Sequence, residues 1–360
     1  QQIELAEHLY SRAIELNPNN AMALTWHGSL VLGSGRIAEG RKSLERAAGV
    51  DPLSAIIRLN LAGALESQAL FGEAATQLLR AIEIDSSMPG AYASLGKLKA
   101  YAFNRFAEAI PLVRTAVDLD PDNPNWLVDL AVLHLELEDD ARASELLGRV
   151  ATRWPENVNA PFWLAVIDLT RRDFAGADRY FRRSLELWPT SNFGALWGLR
   201  DVDLHNNRCE VALDRYRTAY PQLVAASDPR VDLTNHFVAI DVSLLLQKCG
   251  DAARADKLLV GAEQVIKKFP RLGSYGYYFR DVQIHALRGD KAKALATLRK
   301  AKNSGWRFAW RYLPIDPSLA TIREEPEFKA IYAEIARDMA KQRAELESRP
   351  DRAPLDLSPS

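Results

Sequence analysis

The phrase AVDLDPDN, residues 116–123, has five counterparts: AIELNPNN (13–20), AAGVDPLS (47–54), AIEIDSSM (81–88), VATRWPEN (150–157) and SLELWPTS (184–191). Aligned on their prolines, Pro18, Pro52, Pro121, Pro155 and Pro189 stand 34, 69, 34 and 34 residues apart. The 69 is one period of 34 and one of 35, with Ser86 where the missing proline would be. The residue before a proline avoids the helical region, so each Asp-Pro or Trp-Pro step ends a helix and opens the turn into the next unit.

Within each period a small residue is followed by a large apolar one four later and a small one three further on. The sets are Ala6–Tyr10–Ala13, Gly40–Leu44–Ala47, Ala74–Leu78–Ala81, Ala109–Val113–Ala116, Ala143–Leu147–Val150 and Ala177–Phe181–Ser184. Offsets i, i+4 and i+7 share one face of a helix. The small residue lets two helix axes approach, and the large one fills the space beyond. Upstream in each period, Leu61–Ala62, Leu95–Gly96, Leu130–Ala131 and Leu164–Ala165 mark a first helix.

A sustained 34-residue period of paired helices resembles the tetratricopeptide repeat. The resemblance covers residues 1–302 and implies an all-α, right-handed superhelical solenoid with a C-terminal capping helix. Regular repeats fill 21–191. A divergent stretch, 192–302, keeps the pattern at Ala212–Tyr216–Ala219, Ala255–Leu259–Ala262 and Ala294–Leu298–Ala301. The count is eight helix pairs plus a half. Residues 1–20 supply only a second helix, whose apolar face calls for a partner helix upstream of Gln1.

The closing part does not repeat. Asn303–Pro314 carries Trp306, Phe308, Trp310 and Tyr312 and reads as an extended crossing loop. From about Glu327 to 347, Phe328, Ile331, Tyr332, Ile335 and Met339 form an apolar stripe at helical spacing, a cap for the last repeat. SRPDRAPLDLSPS (348–360) is rich in Pro and Ser and is expected to be disordered. The phrase from Asp316 to Phe328, with Asp338 to Arg343, is similar to the segment closing the repeat arrays of certain bacterial signalling proteins. Those carry a winged-helix or class III adenylate cyclase domain upstream, often with a membrane span between. The resemblance implies a sensory module of a larger bacterial regulator, in the cytoplasm or periplasm, attached to the inner membrane through an upstream segment where one exists. The alternative is a free-standing scaffold of the cell envelope or cytosol.

Composition narrows the chemistry. Forty-six basic residues against 47 acidic ones give no excess for nucleic acid. Apolar runs fall short of the roughly 18–20 residues that span a bilayer. DLDPDNPNWLVD (118–129) mimics a calcium loop but has Asn123 where the turn needs glycine. GSGRIAEG (33–40) lacks the strand a dinucleotide fingerprint requires. The six histidines show no metal-ligand spacing, and no nucleophile motif occurs. No catalytic residue, cofactor or metal is expected, and the reading is non-enzymatic. Cys209 and Cys249 fall in turns of consecutive repeats; a repeat spacing of about 8–10 Å favours two free thiols.

The family resemblance places binding on the concave face, at positions 2, 5, 9, 12 and 13 of each first helix. Here these positions include Met22, Thr25, Ile56, Leu59, Lys97, Val128, Val132, Phe162, Val166, Phe193, Leu196 and Arg200. The Lys/Asn clamp by which chaperone-binding relatives hold a terminal carboxylate is missing. So apolar a groove needs a cover: a partner helix, a hydrophobic peptide, a second copy forming a homodimer, or the chain's own tail. Half of these residues serve equally as solenoid core. Ala177→Leu, which overpacks a helix crossing, should lower unfolding free energy by about 1–3 kcal/mol in denaturant titration.

Overall fold

The computed structural model describes residues 2–189, 192–226, 229–268, 277–350 and 353–359. Among them there is no strand, and the helices alternate as the period demands. A half repeat, α1 (Gln2–Leu16), precedes eight pairs. These are α2 (Ala21–Gly33) with α3 (Ile37–Val50), α4 (Ala55–Glu66) with α5 (Phe71–Ile84), and α6 (Pro89–Tyr101) with α7 (Phe106–Leu119). Next come α8 (Pro124–Glu136) with α9 (Asp140–Arg153), and α10 (Asn159–Thr170) with α11 (Phe174–Leu187). After α12 (Phe193–His205) and α13 (Cys209–Ala219), a four-residue helix, α14 (Pro221–Val224), lies in the long connection. The last pairs are α15 (His236–Lys248) with α16 (Ala252–Ile266), and α17 (Tyr277–Leu287) with α18 (Lys291–Asn303). Two 3-10 turns, Trp310–Tyr312 and Pro317–Leu319, lead to α19 (Pro326–Ser348). The chain divides into two compact units, Gln1–Trp126 with Pro350–Ser360, and Leu127–Arg349.

Each pair is held by a close crossing at the small residues. A Cβ on Gly40 would stand 2.7 Å from the Gly28 carbonyl, and one on Gly28 would stand 2.9 Å from the Gly40 carbonyl. In the third pair, a Cβ on Gly96 would meet Val113 at 2.7 Å and the Ala109 carbonyl at 3.0 Å. Ala74, Ala109, Ala143 and Ala177 are fully buried, as are Leu44, Leu78, Val113, Leu147 and Phe181 beside them.

The turn inside every pair contains one residue with positive φ. Gly35, Ala69, Asn104, Glu138, Arg172, Asn207, Gly250 and Gly289 hold these places, with φ between 57° and 98°. Four are followed by aspartates, Asp139, Asp173, Asp251 and Asp290, whose side chains accept the N–H three residues on. Left-handed turn plus Asp cap therefore restarts the chain as the second helix.

Along α19, Phe328, Ile331, Ile335 and Met339 are buried, and Tyr332 lies half-buried with its ring 5.4 Å from that of Trp310. Gln342 extends the buried stripe. Arg299 and Lys302 on α18 both reach Glu334, at 2.7 and 2.6 Å, fixing α19 beside it.

Two expectations change. Residues 348–360 were expected to be disordered, but Ser348 still belongs to α19, and Leu355 packs on the apolar core of the first unit. Cys209 and Cys249 were expected as free thiols, and they form a disulfide with a Cα separation of 6.0 Å. Cys209 begins α13 and Cys249 caps α15, so both sulfurs sit at helix tips. The spacing of helix axes along a stack does not set the distance between tips that converge on one edge. The bridge closes a 40-residue loop, which in the chain-entropy account stabilises by about 4 kcal/mol.

Ala69 carries φ 60° with a Cβ, a conformation costing an L-residue about 1–2 kcal/mol. Ala69→Gly should therefore raise unfolding free energy by about 0.5–1 kcal/mol after the entropy glycine adds to the unfolded chain. Chemical denaturation would measure it.

Candidate functional site

The twelve groove residues separate by unit. In the first, Met22 and Ile56 project from consecutive first helices and are 59% and 41% exposed. Trp26, one turn beyond Met22 on α2, is 45% exposed. Leu59 and Lys97 are half-buried, and Gly63 has open space where a Cβ would be. Thr25 faces inward instead, its hydroxyl donating to the Ala21 carbonyl at 2.7 Å. Glu66 adds a polar element: burial pushes its carboxyl up to about 7 against the pull of Lys97. The face is thus apolar, with one acid and one amine to orient what lies on it.

In the second unit the corresponding residues are buried: Val128, Val132, Val166, Leu196 and Arg200 lie between 1% and 7% exposed. Phe162 and Phe193 are half-buried, each ring in aromatic contact, Phe162 with Trp163 and Phe193 with Phe237. Leu196 belongs to the helix core, and Arg200 is covered by the chain's own aromatic loop. Trp310 donates its indole N–H to the Glu136 carbonyl at 2.9 Å, a contact 174 residues apart in sequence. The Phe308 ring lies 6.2 Å from Trp163, and the Tyr312 ring 4.6 Å from Trp197. Ala309, which starts the turn with φ 54°, donates its N–H to the Glu136 carboxylate at 2.8 Å. Arg311 pairs with Asp140. The aromatic loop anticipated from Asn303–Pro314 is therefore a crossing strap over α8, α10 and α12.

Beneath it lies a buried polar cluster that sequence reading missed. Arg200 donates to Asp241, to Asp201 at 2.8 Å and to the Tyr312 hydroxyl at 3.1 Å. Tyr216 donates to Asp241 at 3.0 Å, and Tyr312 donates to Asp201. Burial pushes the Asp201 carboxyl up to about 7, although the Arg200 guanidinium opposes it. Removing one member of so buried a pair leaves an uncompensated charge. The available signal was acids on otherwise apolar first helices: Asp201 and Asp203 in α12, Asp241 in α15.

A possible metal cluster, Glu7, His27 and Glu39, is already served by Arg36, which pairs with both glutamates at 2.5 Å. The second such grouping, Cys209, Glu210 and Cys249, has its sulfurs committed to the disulfide. Among the described residues no helix is long and apolar enough to cross a membrane.

Comparison with known proteins identifies the repeats. The family model described as "Tetratricopeptide repeat" matches residues 27–89 and 100–160. These two stretches carry tetratricopeptide repeats. No curated protein matches it. Among solved structures it is similar to PilW, a "widely conserved type IV pilus biogenesis factor", at 16% identity, over 56% of this chain and 94% of that one, with TM-score 0.49. The Pseudomonas aeruginosa pilF protein is 18% identical over 61% and 95%, with TM-score 0.45. A tetratricopeptide repeat protein from Parabacteroides merdae is 14% identical over 90% and 98%, with TM-score 0.43. At such identities nothing of their roles passes to this chain.

Glu136 provides a test of the strap. Burial pushes its carboxyl up to about 8, against the Ala309 N–H and Arg311. The folded value lies above the unfolded one, so this contribution to stability is full below about pH 4.3 and fades as pH rises through 8. Glu136→Gln keeps the acceptor without the charge. In denaturant titrations it should match the parent near pH 4 and exceed it at pH 8.5, with Asp201 leaving part of the slope.

Proposed function

We propose that this chain is a non-enzymatic scaffold that binds a protein or peptide partner through the open groove of its first unit. The observation that carries the reading is the asymmetry just described. Position 9 is closed in the second unit at Val132, Val166 and Arg200, the last bonded to Tyr312 of the strap, whereas in the first unit Gly63 lies open there and Met22, Trp26 and Ile56 stand exposed nearby. An apolar row with Lys97 and Glu66 beside it suits an amphipathic helix or an extended apolar segment. A second copy of this chain is a partner of the same kind.

The disulfide supports placing this scaffold in an oxidising compartment, such as the bacterial periplasm, because such bridges are reduced in most cytosols. That favours an assembly factor of the cell envelope. A second reading, the sensory part of a larger bacterial signalling or transcriptional regulator, rests on the Asp316–Phe328 phrase. In it the repeat stack would pass groove occupancy to an upstream effector. A winged-helix or cyclase domain in the reading frame upstream of Gln1 would carry that second reading.

The groove is tested by the double variant Met22→Glu, Ile56→Glu. Both side chains are exposed, so the melting temperature should stay within about 2 °C of the parent. Crosslinking in the native host should then lose its partner bands at least tenfold, a change of about 1.4 kcal/mol or more. An unchanged set of crosslinked proteins would remove the groove from the proposal.

A further inference from the structure

The first unit holds a second feature that the groove does not use. Lys99 is fully buried, and it stands in the repeat position that His134 holds one period later. It lies two residues beyond Lys97 on α6, about 200° around the helix, so its recess faces away from the groove. Its ammonium donates to Glu108 at 2.8 Å and to the Ser358 hydroxyl at 3.3 Å, and pairs with Asp356 at 3.4 Å. Arg105 reaches Glu108 at 3.3 Å. Two cations therefore face two carboxylates, and one of those carboxylates belongs to residues 353–359.

We propose that the recess around Lys99 is a recognition site for short Asp-bearing segments, and that residues 353–359 occupy it as the chain's own ligand. The charge count gives the first reason. Without Asp356, Lys99 and the half-exposed Arg105 share the single carboxylate of Glu108, so a segment that covers Lys99 has to bring a second negative charge with it. A buried cation needs full pairing, and an incoming Asp supplies what the repeats lack.

The segment's conformation gives the second. The Asp356 carboxylate accepts the Ser358 N–H at 2.8 Å, an Asx turn that brings both side chains to Lys99. Leu355 packs on the core of the first unit, whereas Leu357 is 43% exposed. Pro359 reaches a recess of about 390 Å³ lined by Arg58, Gln77, Arg80 and Glu83. Prolines at 354 and 359 limit the freedom lost on docking. The chemistry recognised is thus an apolar residue, an Asp directly after it, and a hydroxyl two further on. Tethering gives the chain's own segment an effective concentration of about millimolar, so a partner bearing the same pattern has to displace it.

The experiment uses the full chain and a fluorescein-labelled peptide of residues 350–360, read by anisotropy. Leu355→Asp with Asp356→Lys should release the chain's own segment, and the peptide should then bind at least tenfold more tightly than to the parent. Adding Lys99→Met should abolish that gain while the helical circular dichroism and melting temperature persist. Equal peptide binding by parent and released variant would overturn the proposal, as would binding that ignores Lys99→Met. Light scattering adds one more outcome: a parent dimer that dissociates on release would replace the intramolecular ligand by an exchanged one. The groove variant Met22→Glu, Ile56→Glu should bind the peptide as the parent does, so failure here and failure of the groove reading are separable.

Discussion

The close crossing of two helices at a pair of small residues is the contact from which the rest of the fold is built. Where Gly28 meets Gly40, or Gly96 meets Ala109, no room for a side chain remains between the axes. That proximity fixes the angle within each pair, and repetition of the angle gives the stack a face on which first helices line up. The groove is a by-product of this packing rule. Its chemistry is then free to vary at the exposed positions, such as Met22 and Ile56, whose side chains take little part in holding the pair together.

That freedom has been used in opposite ways in the two units. The first leaves its apolar row open to water. The second lays its own aromatic loop across the row and pins it with hydrogen bonds to the Glu136 carbonyl and carboxylate. It further buries a network of Arg200, two aspartates and two tyrosines under the loop. Such a network confers little net stability over a well-packed apolar core, and removal of any member is costly. It selects one arrangement of strap and repeats among the many that greasy surfaces would allow.

Most of the architecture could be read from residue order. The 34-residue period, the small–large–small sets and the Asp-Pro steps depend on neighbours three to seven residues apart, and local rules govern such neighbours. The cap helix was legible for the same reason. What could not be read were pairings between distant segments. Trp310 and Glu136, Arg200 and Tyr312, and Lys99 and Asp356 meet only because the stack brings them together. No spacing in sequence announces them. The cysteines failed differently: a correct axis spacing was applied to residues at helix tips, where it does not hold. Lys99 itself was a visible anomaly, a lysine in a packing position, which could have flagged a buried partner of opposite charge.

The strap also sets a schedule. Repeats fold through contacts within and between adjacent pairs, so α8 to α12 can assemble as soon as they are made. Trp310 is added 174 residues after Glu136. At synthesis rates of about 5–20 residues per second, that is an interval of roughly 10–35 s. From the completion of α12 until Trp310 is added, the apolar row that the finished protein hides is folded and uncovered. A nascent chain in this condition offers a binding face that the mature molecule no longer has, and whatever shields it in the cell must let go when the loop arrives.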